Sequence, residues 1–139
     1  MRVSRLIPPY DKNGRSNLGF ANRQSGVYLI YKNGNLVYVG YSATNLYKTC
    51  HRHFQRWDAK YQRVVTYVKQ LARNDFKVRV VLCSASRAEK LEKALIVRHK
   101  PKDNPDKLPG YQLDSWECRA LEDFRQKPVE NYEDIIVPF

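Results

Sequence analysis

Long apolar runs, cysteines and acidic residues are all scarce in this chain, and each shortage removes a class of protein. No stretch approaches the roughly 18 consecutive apolar residues that span a bilayer, so no membrane partner is expected. Residues Met1 to Asn22 are polar and basic and are broken by Pro8-Pro9; they lack the apolar segment of a secretory leader. The cysteines are Cys50, Cys83 and Cys118, an odd number at wide, irregular spacing. They fit neither a disulfide framework nor a zinc pattern, which points to a reducing, cytoplasmic setting. Cys50, His51 and His53 sit too close along one helix to face a single point, so a zinc site is not expected there either. Repeats and low-complexity tracts are absent.

Acids are outnumbered 14 to 25 by Lys and Arg, leaving a net charge of +11 on 139 residues. The imbalance is uneven. From Asp114 to Phe139 there are seven acids against Arg119, Arg125 and Lys127, so residues 1–113 carry a net +15. A body this basic attracts polyanions, of which nucleic acid is the commonest. The length suits one domain with one core.

What is present begins with a hairpin. Gly26-Val27-Tyr28-Leu29-Ile30-Tyr31 and Val37-Tyr38-Val39-Gly40 flank Lys32-Asn33-Gly34-Asn35, and Asn-Gly favours a tight hairpin because both residues tolerate positive φ. Tyr28 and Tyr38 are therefore expected on neighbouring strands. Asn45 reads as an N-cap, with Leu46, Cys50, Phe54 and Trp57 recurring on one helical face to about Asp58. Residues 61–73 fit either a strand or a helix, and a strand is preferred. Phe76, Val78, Val80 and Leu82 alternate as a strand. Ser86 and Glu89 suggest a capping box opening a second helix that runs to about His99. Pro101, Pro105 and Pro109 prevent its continuation. A short helix over about Trp116 to Phe124 is expected, since Trp116, Ala120, Leu121 and Phe124 share a face.

Gly26-Val27-Tyr28 and Tyr38-Val39-Gly40 resemble the two half-motifs of the GIY-YIG nucleases, with Val replacing Ile in each. Leu91-Glu92 through Pro101-Lys102-Asp103-Asn104 resembles that family's later signature, a helix bearing one glutamate followed by Pro-x-x-Asn. The resemblance covers roughly residues 25–104 in the order hairpin, helix, strand, helix. It implies an α/β fold of the α+β type, with a small, mainly antiparallel central sheet flanked by helices. Residues 1–24 then form a basic arm, 25–104 the nuclease-like domain, and 105–139 a proline-containing linker with an acidic extension.

The same resemblance implies a role for each candidate residue. Tyr28 would position or deprotonate the attacking water, with Tyr38 supporting the same phosphate. A phenol with its ordinary pKa near 10 is a poor base at neutral pH, so it needs a nearby cation. Glu92 would hold a single magnesium (or manganese) ion, since a hard cation is satisfied by one carboxylate, waters and substrate phosphate. Gly40 suits close backbone approach, Ser42 stands where the family often has a small hydroxyl residue, and Asn104 either fixes a loop or supports the site. The first helix departs from the family pattern of arginine and histidine one turn apart. Aligning His53 with the histidine puts Thr49 at the arginine position, whereas the ungapped alignment puts Lys48 and Arg52 in the two places. Arg52 with His53 is preferred for offsetting charge on the phosphate, and Lys48 is held in reserve. Lys48, Arg56 and, more widely, Arg15, Arg23, Lys60, Arg63, Lys69, Arg73, Lys77 and Arg79 are expected to contact phosphates without reading sequence.

The activity implied is metal-dependent cleavage of DNA. One alternative is a domain of the same fold that lacks the helix arginine and only binds nucleic acid. Another is a structural or interaction protein whose basic face meets an acidic partner. The acidic extension is expected to dock on the basic body or to cover its DNA-binding groove. The oligomeric state is open, with a dimer possible.

Overall fold

The computed structural model describes residues 1–55 and 65–131. Strands β1 (Arg2–Ser4), β2 (Gly26–Lys32), β3 (Asn35–Ser42), β4 (Phe76–Leu82) and β5 (Val129–Glu130) form one sheet in the order β3-β2-β4-β1-β5. All pairings are antiparallel except that of β1 with β5. Three helices accompany it: α1 (Leu46–His51), α2 (Ala85–His99) and α3 (Ser115–Gln126). This is the α+β architecture expected. No helix among the described residues is long and apolar enough to cross a membrane.

The β2–β3 hairpin closes through Asn33 and Gly34, both at positive φ (52° and 85°), as its Asn-Gly turn demands. Opposite Ile30 the register shifts, so Val37 is an extra residue on β3. Tyr28, Ile30, Val78 and Val80 lie on one face of the sheet with Leu46, Cys50 and Phe54 of the first helical segment. Val27, Leu29, Val39 and Val81 line the other face, covered by Ala88, Leu91, Ala94 and Leu95 of α2 and Ala120 and Leu121 of α3. A two-sided sheet of this kind buries both faces at once.

Several elements differ from expectation. The first helix stops at His51 and tightens into a 3₁₀ turn over Arg52–Phe54. Gln55 is extended (φ −106°, ψ 157°), and the His53 carbonyl accepts from the Tyr67 N–H at 2.7 Å; Trp57 and Asp58 lie outside the described residues. The strand preferred within 61–73 is not found over its described part, 65–73, where Val68–Gln70 is a 3₁₀ turn. β2 and β4 already have both neighbours, and the outer edge of β3 is taken by the segment around Asn104. Helix α2 is capped by Ser84, whose Oγ accepts from the Arg87 N–H, and not by Ser86. Helix α3 extends beyond both expected ends, opened by a capping box between Asp114 and Glu117, and leaves Trp116 60 % exposed.

The termini contribute to the body. Residues 1–24, read as an extended arm, supply β1 and the buried Ile7, Leu18 and Ala21. The acidic residues Glu117, Asp123 and Glu130 pair with Lys93, Arg87 and Arg2 respectively.

Candidate active site

Tyr28 stands directly opposite Gly40 across the β2–β3 pair. A Cβ at Gly40 would overlap the Tyr28 ring and its hydroxyl, so only glycine allows the phenol to lie over β3. Gly26 is constrained differently, since a Cβ there would overlap the Val81 carbonyl oxygen. Each half-motif glycine therefore answers to a close approach. Tyr38, two residues before Gly40, keeps its ring 6.1 Å from that of Tyr28 at 20°.

The 3₁₀ turn after α1 brings His53 onto this pair, its ring 4.5 Å from that of Tyr38. His53 is 3 % exposed, and its hydrogen bonds fix its tautomer. Nδ1 is 2.7 Å from the Val65 carbonyl, which can only accept, so Nδ1 carries the hydrogen. In neutral imidazole Nε2 is then an acceptor, and it takes the Tyr28 O–H at 2.8 Å. Burial holds the His53 pKa below its ordinary value, helped by Arg52 and opposed by the Val65 bond, which keeps the ring neutral. Burial likewise raises the Tyr28 phenol pKa well above 10, assisted by Tyr38. The resting pair is thus a phenol donating to a neutral imidazole.

Glu92 projects from α2 toward the β3 edge. Burial raises its carboxyl from 4.5 to about 7, with Glu89 adding to the shift and Lys93 and the Tyr41 backbone N–H opposing it. Its charge is felt at Tyr28 and Tyr38. A half-buried carboxyl with so raised a pKa gains from a cation beside it. No cluster of three His, Cys, Asp or Glu suited to a metal occurs among the described residues. A lone carboxylate could hold only a hard ion that takes its other ligands from water and phosphate.

Lys48 and Arg52 are exposed, and together with Tyr47, His51 and Gln55 they line a shallow groove whose lining includes none of Tyr28, Tyr38, His53 and Glu92. Thr49 donates its hydroxyl to the Asn45 carbonyl at 3.1 Å. Arg56, Lys60 and Arg63 lie outside the described residues. Arg79 alternates with Val78 and Val80 and pairs with Leu29, placing it on the sheet face opposite Tyr28.

Asn104 and Ser42 both hydrogen-bond within the fold. Asn104, 5 % exposed, accepts from the Val39 N–H at 3.0 Å and donates to the Val39 carbonyl at 2.9 Å. Its amide imitates a neighbouring strand on the edge of β3. Asp103 extends the same edge by donating its N–H to the Val37 carbonyl. Ser42, 8 % exposed, accepts from the Asn45 N–H at 2.9 Å and shapes the turn into α1.

Sequence reasoning missed Tyr67 and Val65. Tyr67 is buried beneath His53 and donates to Asp103 at 2.8 Å, tying the segment that carries Val65 to the loop that carries Asn104. Aromatic content in 61–73 hinted at burial, but a backbone acceptor such as Val65 has no sequence signature. A second pair was also missed, in which the Tyr10 hydroxyl lies 2.9 Å from His51 Nε2.

No curated protein and no solved structure matches the chain. The family model of the GIY-YIG catalytic domain matches residues 24–105, the span that contains the hairpin, His53, Glu92 and Asn104. The chain belongs to the GIY-YIG family.

Proposed function

We propose that this protein is a divalent-metal-dependent endonuclease that hydrolyses DNA phosphodiester bonds. The hydrogen-bonded line from Tyr28 through His53 to the Val65 carbonyl supports this reading most directly. It resolves the difficulty that a buried phenol is a poor base. As a water attacks phosphorus, its proton passes to the Tyr28 oxygen and the Tyr28 proton moves to His53 Nε2, while the bond from phosphorus to the leaving sugar oxygen breaks and that oxygen takes a proton from solvent. No free phenolate forms, and the positive charge ends on an imidazolium held by Val65. Tyr28 is only 2 % exposed, so the water it serves is one admitted with the substrate. Tyr38 steadies the phosphate, and Arg52, with Lys48 beside it, offsets the charge that builds on its oxygens. Glu92 would hold magnesium or manganese, which when bound supplies Lewis-acid stabilisation of the phosphate and leaving oxygen.

Thr49 favours a second reading. Aligned on His53, it stands where the family pattern has arginine, and a nucleic-acid-binding domain without cleavage would follow if Arg52 does not compensate. Nicking of supercoiled plasmid with magnesium or manganese separates the two. Cleavage lost in both Tyr28→Phe and Glu92→Ala supports the nuclease; salt-sensitive plasmid binding without any nicking supports the binding domain.

A further inference from the structure

A groove of about 1030 Å³ runs between the N-terminal half of α2 and the exposed side of α3. Its charged lining is Arg87, Lys90, Arg119, Lys127 and the single acid Asp123. Asp123 is shared by Arg87 at 3.1 Å and Lys127 at 3.9 Å, while Lys90 and Arg119 have no ion pair among the described residues. Trp116 forms part of the wall, 60 % exposed. The Arg119 guanidinium sits 5.0 Å from the centre of its ring, and the Asp114–Glu117 capping box fixes the helical turn that presents it. An exposed indole beside cations that have no ion pair among the described residues is a stacking platform with phosphate-binding groups at hand.

We propose that this groove binds a single-stranded segment of nucleic acid, a base stacking on Trp116 while flanking phosphates meet Lys90 and Arg119. A base inside a duplex has both faces covered by its neighbours, so Trp116 can reach only an unpaired one. An acidic protein segment would satisfy the cations but would leave the indole without a matching flat surface. The choice of nucleic acid rests on the nuclease reading, but the groove is separate from that site. Lys90 and Glu92 are two residues apart, about 200° around α2, so the groove occupies the flank away from Glu92. A strand passing from one to the other crosses a helix roughly 10–12 Å wide. The arrangement suits a substrate with a duplex at the catalytic face and an unpaired branch or end beyond α2.

The test is fluorescence anisotropy of a labelled oligothymidylate of about 20 nucleotides, with the full chain in EDTA so that no cleavage intervenes. Trp116→Ala should weaken binding about tenfold or more, with Trp116→Phe retaining most of it. The pair Lys90→Ala and Arg119→Ala should lower the slope of log affinity against log salt by about 1.4, as expected for two lost phosphate contacts on a single strand. Trp116→Ala should leave affinity for a duplex of the same length unchanged. Oligothymidylate binding that is indifferent to Trp116, whether or not the charge variants weaken it, overturns the proposal. Plasmid nicking reports separately. Trp116-dependent binding without nicking would sink the nuclease and keep the groove, while nicking with Trp116-independent binding would do the reverse.

Discussion

The Tyr28 hydroxyl and His53 Nε2 are 2.8 Å apart, and the Val65 carbonyl on the far side of the ring dictates which way the proton points. Tyr28→Phe removes the proton path and keeps the ring. Its nicking rate should fall at least about 100-fold, the lower end of what a positioned acid–base group contributes. Stability should drop by about 1–3 kcal/mol, because the buried His53 Nε2 loses its donor. Single-turnover nicking and urea denaturation measure the two. A variant with lost stability and retained rate would remove Tyr28 from the chemistry.

The pH profile should rise through neutrality. Glu92 must lose its proton to hold a cation, and that loss is centred at about pH 7. His53 must be unprotonated to accept from Tyr28, and its pKa lies below the usual 6.5. Nicking should therefore be lost as pH falls, with Glu92 setting the midpoint. Raising the magnesium concentration should move that midpoint to lower pH, because metal and proton compete for one carboxylate. A midpoint indifferent to magnesium would argue against Glu92 as the ligand.

The same carboxyl weakens the fold at working pH. Its folded pKa of about 7 lies above its unfolded value of 4.5, so between those values the folded chain holds a proton that the unfolded chain has released. Stability consequently falls as pH rises across that window and stays reduced above it. Glu92→Gln should raise Tm at pH 8 by roughly 3–8 °C, leave Tm unchanged at pH 4, and abolish nicking. Calorimetry at the two pH values decides it, and an equal effect at both would indicate a packing cause.

Gly40→Ala places a methyl where the Tyr28 phenol lies. The ring must move, breaking its register with His53. We expect about 1–3 kcal/mol of lost stability, as for other overpacked sites, and nicking reduced about as far as in Tyr28→Phe. Near-normal nicking in a folded Gly40→Ala protein would show that the Tyr28 position tolerates displacement.

Thr49→Arg restores the cation of the family pattern one turn before His53. If Arg52 only partly fills that role, the variant should nick about tenfold faster or more, and Arg52→Ala should lose about 100-fold in the parent, a typical cost of removing one charge-stabilising donor. Comparison of the two variants in one plasmid assay assigns the cation. No change in either would place charge stabilisation elsewhere.

Removing residues 114–139 is a poor probe of the acidic extension, because Ala120 and Leu121 of α3 complete the core behind α2 and β5 pairs with β1. Such a truncation should unfold or aggregate. Charge changes at Asp123 or Glu122 examine its electrostatics without opening the core.

The sequence by itself determined the hairpin, the strand at Phe76–Leu82, both long helices and the order of the half-motifs, because alternation, helical spacing, Asn-Gly and proline act over a few residues. It also singled out Tyr28, Tyr38, His53 and Glu92 as candidates. Only the tertiary structure decided what those groups do to one another. The segment after α1 is held by Tyr67, which donates its N–H to the His53 carbonyl, and the His53 tautomer depends on Val65, twelve residues away. The edge-strand role of Asn104 depends on Val39, and the exposure of Trp116 depends on which side of α3 meets α2. These are contacts between backbone groups and surfaces distant along the chain, and backbone atoms are the same in every residue. Composition and spacing therefore carry no trace of them until the sheet has formed.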